Sequence, residues 1–120
     1  MTATSDTVGN DPPRMATVHH VDAFSAFGQG GNPAGVVLAA EGLSAAQMQT
    51  IAARMGLSET AFVLPHPEAD RALRFFTPTA EVGLCGHATI ASWHLLMEQN
   101  RLGPGNYRMW TQSGMQTVCC

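Results

Sequence analysis

The sequence contains no lysine; its six side-chain cations are all arginine, set against nine aspartates and glutamates. Charged residues make up 12% of the 120, about half the share usual in a soluble domain. With a net charge of -3 and no basic cluster, the chain has no electrostatic footprint for nucleic acid, which is not expected as a partner. No apolar run approaches the ~20 residues needed to span a bilayer. The first 14 residues lack a cationic start followed by an apolar stretch, so they are not expected to be a signal peptide. The cysteines are Cys85, Cys119 and Cys120. An odd count with two adjacent makes no disulfide framework, and a reduced, cytoplasmic chain is the expectation. Apolar residues, at 45%, are at an ordinary level, so the shortage is of charge. It has two readings: a composition bias toward Ala, Gly and Arg codons, or a surface that another lobe or subunit covers.

The polar, Gly- and Pro-containing segment 1–15 reads as a disordered tail, and 16–120 as one small domain. Residues 17–24 (TVHHVDAF) and 34–39 (AGVVLA) read as strands on either side of a glycine-rich turn that Pro33 ends. Ser44 followed by Gln47 forms a capping box, with Leu43 and Met48 placed as a hydrophobic staple. Met48, Ile51, Ala52 and Met55 then fall on one helical face, and Gly56 stops the helix. Residues 59–64 and 71–76 read as strands, with a break at Thr77-Pro78-Thr79 and a brief extension over 81–84. A second helix starts after Gly86 and runs to about Glu98. Its body is apolar on nearly every side, which predicts a helix surrounded by protein. Residues 106–112 and 115–118 flank a Ser113-Gly114 turn. The order β-β-α-β-β-α-β-β predicts an α+β fold: a curved, mostly antiparallel sheet, a half-barrel, around a central helix.

Three segments carry groups suited to chemistry. Cys85-Gly86-His87 opens the enclosed helix, where free N–H groups and the helix dipole favour an anion such as a substrate carboxylate. Gly86 lets a ligand approach the backbone closely, and His87 can donate a hydrogen bond or shuttle a proton. Ser58-Glu59 opens a strand. Apolar neighbours desolvate Glu59, which favours its protonated form and suits it to acid/base work; Ser58 either contacts substrate or caps the turn. Asn32, in Gly-Asn-Pro, stands at the mouth between two strands. A packed helix start and an exposed strand-start glutamate are the plain alternatives. Cys85 beside the helix start could have a lowered pKa and act as a thiol base, or be buried and inert. Cys85, His87, Cys119 and Cys120 match no zinc spacing, so no metal is expected. His19 and His20 alternate faces and cannot share a site, and His94 reads as a satisfied core histidine.

VDAF at 21–24, GNPAGVVL at 31–38, LSETAFVLP at 57–65 and FFTPTAEVGLCGHATIAS at 75–92 together resemble the PhzF-like phenazine-biosynthesis family, of the diaminopimelate-epimerase-like fold. The resemblance covers nearly all of 17–118. It implies a two-lobed protein with its active site between the lobes, of which this chain is the N-terminal lobe. It also implies a cofactor-independent isomerase whose type reaction is proton transfer on a dihydrohydroxyanthranilate. Glu59 matches the family's acid/base, Ser58, Gly86 and His87 match substrate-contacting residues, and Asn32 a pocket-lining motif. Cys85 stands where related amino-acid epimerases and racemases carry a catalytic thiol, so a Cys85-driven epimerase is an alternative. Family members are more than twice this long, so the second lobe is expected to be absent and the chain truncated. The expectations are then an impaired isomerase, a non-catalytic fragment or a split-enzyme subunit. The expected partners are a small carboxylate substrate and either a homodimer mate or a complementing second-lobe chain.

Overall fold

The computed structural model of the chain describes residues 2–11, 14–23, 32–100 and 102–119. Its elements, in chain order, are β1 (Thr2–Asp11), β2 (Arg14–Ala23), β3 (Asn32–Val37), α1 (Ala45–Met55), β4 (Glu59–His66), β5 (Ala69–Phe76), β6 (Glu81–Val82), α2 (Gly86–Asn100), β7 (Asn106–Thr111) and β8 (Gly114–Cys119). They build one open sheet in the order β1-β2-β3-β4-β5-β7-β8, with the short β6 paired to β5. The chain is α+β, as its residue pattern predicts. The sheet is mixed: β3 lies parallel to β4 and β5 parallel to β7, and the other pairs are antiparallel. Each parallel junction is where a helix intervenes in the chain, because parallel neighbours need a long crossover.

Side-chain alternation along the strands sorts the apolar residues onto two faces. Ala61 and Val63 of β4 and Leu73 and Phe75 of β5 pack with Ala88, Ala91, Trp93, Leu95 and Leu96 of α2. Phe62 and Phe76, one residue out of phase, pack on the other face with Met48, Ile51 and Ala52 of α1. The α2 core also draws in Val21 of β2, Val36 of β3, Met109 of β7 and Val118 of β8. Six strands at ~4.8 Å spacing span about 24 Å, roughly twice the diameter of a helix. One core built on a single helix can draw side chains from all of them only if the sheet curls around it.

The start of α1 follows its local code. The Gln47 amide donates to Ser44 Oγ at 3.1 Å, and the Ser44 amide donates to Gln47 Oε1 at 2.9 Å. Gly56 ends the helix at φ 65°, its N–H donating to the Ala52 carbonyl at 3.2 Å; this left-handed backbone is disfavoured for residues with a Cβ. Each large α1 side chain buried against Phe62 and Phe76 stabilises the fold by about 1.5–3 kcal/mol.

Three expectations need correcting. Residues 2–11, whose composition reads as a tail, form β1, antiparallel to β2 from Thr2 opposite Asp22 to Asp11 opposite Arg14. An edge strand is held by backbone hydrogen bonds, which polar composition does not forbid. Second, α2 is not enclosed on every side: Ile90 is 44% exposed, as are Leu84 (43%) just before the helix and Met115 (39%) on β8. Third, His94 is no core residue. It lies on that open side, its Nε2 3.3 Å from Glu98 Oε1 one turn on.

Candidate active site

Alternation puts Glu59, the first residue of β4, on the same face as Ala61 and Val63, toward α2. The loop after β5 brings the start of α2 to meet it. That loop is held at two points. Thr77 Oγ1 accepts from the amides of Thr79 and Ala80, at 3.3 and 3.1 Å, closing the turn. Arg74 then grips Glu81 bidentately, Nε to Oε2 at 2.8 Å and Nη2 to Oε1 at 2.7 Å. Such fork-to-carboxylate pairs fix orientation as well as adding energy, and the hydrogen bond to Glu81 pushes the Arg74 pKa up. Four residues after Glu81 the chain reaches Cys85, where the Thr89 amide donates to the Cys85 carbonyl at 3.0 Å and α2 begins.

The result is a compact cluster of three side chains. His87 Nε2 lies 3.0 Å from Glu59 Oε2, and His87 Nδ1 lies 3.4 Å from Cys85 Sγ. One donor atom from each residue falls within 4.8 Å of the others. The Glu59 and His87 side chains are 20% and 19% exposed, so they are shielded without being sealed. Although the two facing atoms are in contact, their alignment is not that of a hydrogen bond. Both are buried without a hydrogen-bond partner among the described residues. Gly86 is open: a Cβ placed there meets nothing within 4 Å. The backbone at the start of α2 is thus accessible to a ligand beside the imidazole and the carboxylate.

The Cys85 thiol behaves differently from the expectation of a lowered pKa. Burial pushes it up, and the Glu59 carboxylate pushes in the same direction, while the backbone amides of Ala88 and His87 pull it down. The net direction is upward. A nearby negative charge and lost hydration outweigh the helix start, whose effect is that of a partial charge.

Of the residues singled out from sequence, Glu59, Cys85, Gly86 and His87 converge. Ser58 is exposed beside Glu59 in the chain. Asn32 opens β3, two residues before Ala34, which is the parallel partner of Glu59; the Asn32 side chain lies outside the described residues. Two features escaped the sequence reading. One is the placement of Cys85 and Glu59 on opposite nitrogens of a single imidazole. The other is the Arg74–Glu81 clamp, whose only signal is a charge pair flanking the Thr-Pro-Thr turn. A cleft of about 430 Å³ lies at the far end of β4, lined by Leu38, Glu41, His66, Asp70 and Arg71 among others. None of the candidate residues lines it, so this cleft is not where the reactive groups meet. No helix among the described residues is long and apolar enough to cross a membrane.

Comparison with known proteins agrees with this architecture. Residues 21–120 match the family model described as PhzC-PhzF, phenazine biosynthesis-like protein. The chain is 50% identical over 96 residues to the uncharacterized isomerase YddE of Escherichia coli, covering 80% of this chain and 32% of that protein. It is 44% identical over 106 residues to the uncharacterized isomerase YfhB of Bacillus subtilis, covering 88% and 36%. Among solved structures, the phenazine biosynthesis protein of the PhzF family from Bacillus anthracis superposes with a TM-score of 0.80 at 36% identity, over 99% of this chain and 36% of that one. A predicted epimerase from Pseudomonas aeruginosa superposes with a TM-score of 0.71 at 25% identity, over 82% and 36%. The chain therefore spans about a third of the length of these relatives. With the sheet curled on α2, the reactive residues gathered at the start of that helix and the motifs matched over residues 21–120, the chain belongs to the phenazine biosynthesis-like PhzC-PhzF family.

Proposed function

We propose that this chain carries the proton-transferring wall of a cofactor-independent isomerase, with Glu59 as the acid/base and a small carboxylate as substrate. The observation that carries the reading is the Glu59–His87 contact at the amino end of α2. There a carboxylate oxygen and an imidazole nitrogen lie 3.0 Å apart, each without a hydrogen bond among the described residues. A carboxylate can take a proton from one carbon and return it to another without leaving the site. His87 can donate to a substrate oxygen. The substrate carboxylate docks on the free amides at the start of α2, close to the backbone because Gly86 has no side chain. Ser58, exposed beside Glu59, and Asn32, by its place at the start of β3, are the further candidates for substrate contact. A second wall, from another lobe or another copy of the chain, shuts water out and fixes the substrate's orientation. Without it the reaction is slow, because one wall positions poorly.

The test is uptake of deuterium from D2O into small unsaturated or hydroxylated carboxylic acids, followed by mass spectrometry. The chain is assayed alone and mixed with the complementary portion of a full-length relative. Exchange is expected to appear in the mixture and to fall at least about a hundredfold in Glu59→Gln. Exchange that survives Glu59→Gln removes Glu59 from the mechanism.

A second reading is favoured by one contact, Cys85 Sγ to His87 Nδ1 at 3.4 Å. In it, His87 draws the proton from the thiol, and the thiolate works as the base of an amino-acid epimerase. Exchange at an amino acid's α-carbon that is lost in Cys85→Ser but kept in Glu59→Gln selects this reading.

A further inference from the structure

The same three side chains have a donor chemistry that the isomerase reading does not use. We infer that Glu59, Cys85 and His87 form a zinc(II) site, with one oxygen, one sulfur and one nitrogen ligand and a fourth position open.

Sulfur, imidazole nitrogen and carboxylate oxygen are the ligand types that zinc takes, in tetrahedral sites at about 2.3, 2.0 and 2.1 Å respectively. Those lengths place neighbouring ligand atoms roughly 3.3–3.6 Å apart. The Glu59 Oε2–His87 Nε2 separation is 3.0 Å; Cys85 Sγ lies 3.4 Å from the other ring nitrogen, Nδ1, and one donor atom from each residue lies within 4.8 Å of the others. Because one imidazole nitrogen serves one metal, closing a spacing of up to 4.8 Å to the tetrahedral one needs roughly 1–1.5 Å of side-chain movement. The largest adjustment swings the sulfur from the Nδ1 side of the ring toward the nitrogen that faces Glu59.

The donor atoms themselves point to a cation there. Glu59 Oε2 and His87 Nε2 are buried atoms that make no hydrogen bond among the described residues, and a metal between them would satisfy both. A dication attracts both a carboxylate and a thiol, and takes the thiol as thiolate. The amino end of α2 carries about half a positive charge and opposes a cation, but two full negative ligands outweigh it. Three protein ligands with one position free is the open arrangement of exchangeable sites, not the closed four-ligand arrangement of structural ones. The inference stands on donor geometry alone. Should Glu59 also be the acid/base, zinc would hold it out of action, so that free zinc reversibly inhibits the isomerase.

The probe is cobalt(II), followed by zinc(II), added to chain whose Cys119 and Cys120 are replaced by serine so that Cys85 is the remaining thiol. The expected result is one equivalent of cobalt with a thiolate-to-metal charge-transfer band. Zinc should displace it, and Cys85→Ser should abolish the band. Zinc affinity is expected to fall more than about tenfold in His87→Ala and in Glu59→Gln. X-ray absorption of the zinc-loaded protein gives a readout that needs no variant: one sulfur with the rest nitrogen or oxygen. A missing charge-transfer band, a band that persists in Cys85→Ser, or a zinc shell without sulfur overturns the site. None of these readouts measures turnover, so a Glu59→Gln variant that keeps isomerase activity would sink the catalytic proposal and leave this one standing.

Discussion

Replacing a glycine by alanine should have opposite effects at two positions of this fold. At Gly86 a new methyl group meets nothing within 4 Å, and the residue needs no left-handed backbone. The substitution therefore removes freedom mainly from the unfolded chain, stabilising the protein by about 0.4–1 kcal/mol, a rise in Tm of about 2–5 °C. At Gly35, between β2 and β4, the same methyl group lands 3.1 Å from Thr60 Oγ1, 3.2 Å from Thr60 Cγ2 and 3.2 Å from Val18 Cγ1. Strand residues boxed in on both sides cannot step aside cheaply, so overpacking costs about 1–3 kcal/mol, a drop of about 4–12 °C. Thermal melts followed by circular dichroism read both. Deuterium exchange reads a further consequence at Gly86, where the methyl group occupies the space in which a substrate carboxylate approaches the helix start. Gly86→Ala should therefore be more stable yet exchange at least about tenfold more slowly. A destabilised Gly86→Ala would refute the claim that the space is open. A stable Gly86→Ala with undiminished exchange would refute docking at the start of α2, and a neutral Gly35→Ala would refute the tight packing of β3.

Further outcomes follow from the site and its supports. The folded protein holds the Cys85 proton more tightly than the unfolded chain does, since its pKa is raised from an ordinary 9.0. That contribution is complete below the ordinary value and is lost as pH rises through and beyond it. Urea midpoints of the parent should therefore fall above about pH 9 relative to those of Cys85→Ser. Arg74→Ala should cost about 1–2 kcal/mol by urea denaturation, allowing for the quarter-exposed guanidinium. It should also speed amide hydrogen exchange across 83–87 while leaving α1 unchanged; Arg74→Lys should not restore it, because lysine has no fork. Thr60 Oγ1 is buried without a hydrogen-bond partner among the described residues, so Thr60→Val should be neutral or stabilising by up to about 1 kcal/mol in the same assay.

Much of this structure was readable because its signals are local. Ser44, Gln47 and Gly56 specify where α1 starts and stops through bonds within a few residues, and that helix lies where they put it. The alternation in 59–64 and 71–76 likewise sets which side chains face α2. Contacts between distant segments left weaker marks. Nothing in the composition of 2–11 announces β1, because edge pairing uses the backbone. The two parallel junctions follow from where the crossovers run, which the residue pattern does not encode. The residue pattern places His94 in the core because it implies an apolar helix covered all round, whereas coverage depends on how far the sheet curls. At the site, the separate importance of Glu59, Cys85 and His87 was legible from residue type and helix start. Their order around one imidazole was not, since it depends on how Arg74 and Glu81 hold the intervening loop.

Because one helix packs on each side of the sheet, the molecule has two compartments separated by a single layer of backbone. Substitutions beneath α1, at Met48, Ile51 or Phe62, can be tuned for robustness while the geometry around the imidazole is left alone. Changes beneath α2, at Ala61, Ala88 or Ala91, move the platform on which the reactive groups sit. A laboratory selecting hardier variants should therefore find its tolerated mutations clustered on the first side, and its losses of activity without unfolding on the second.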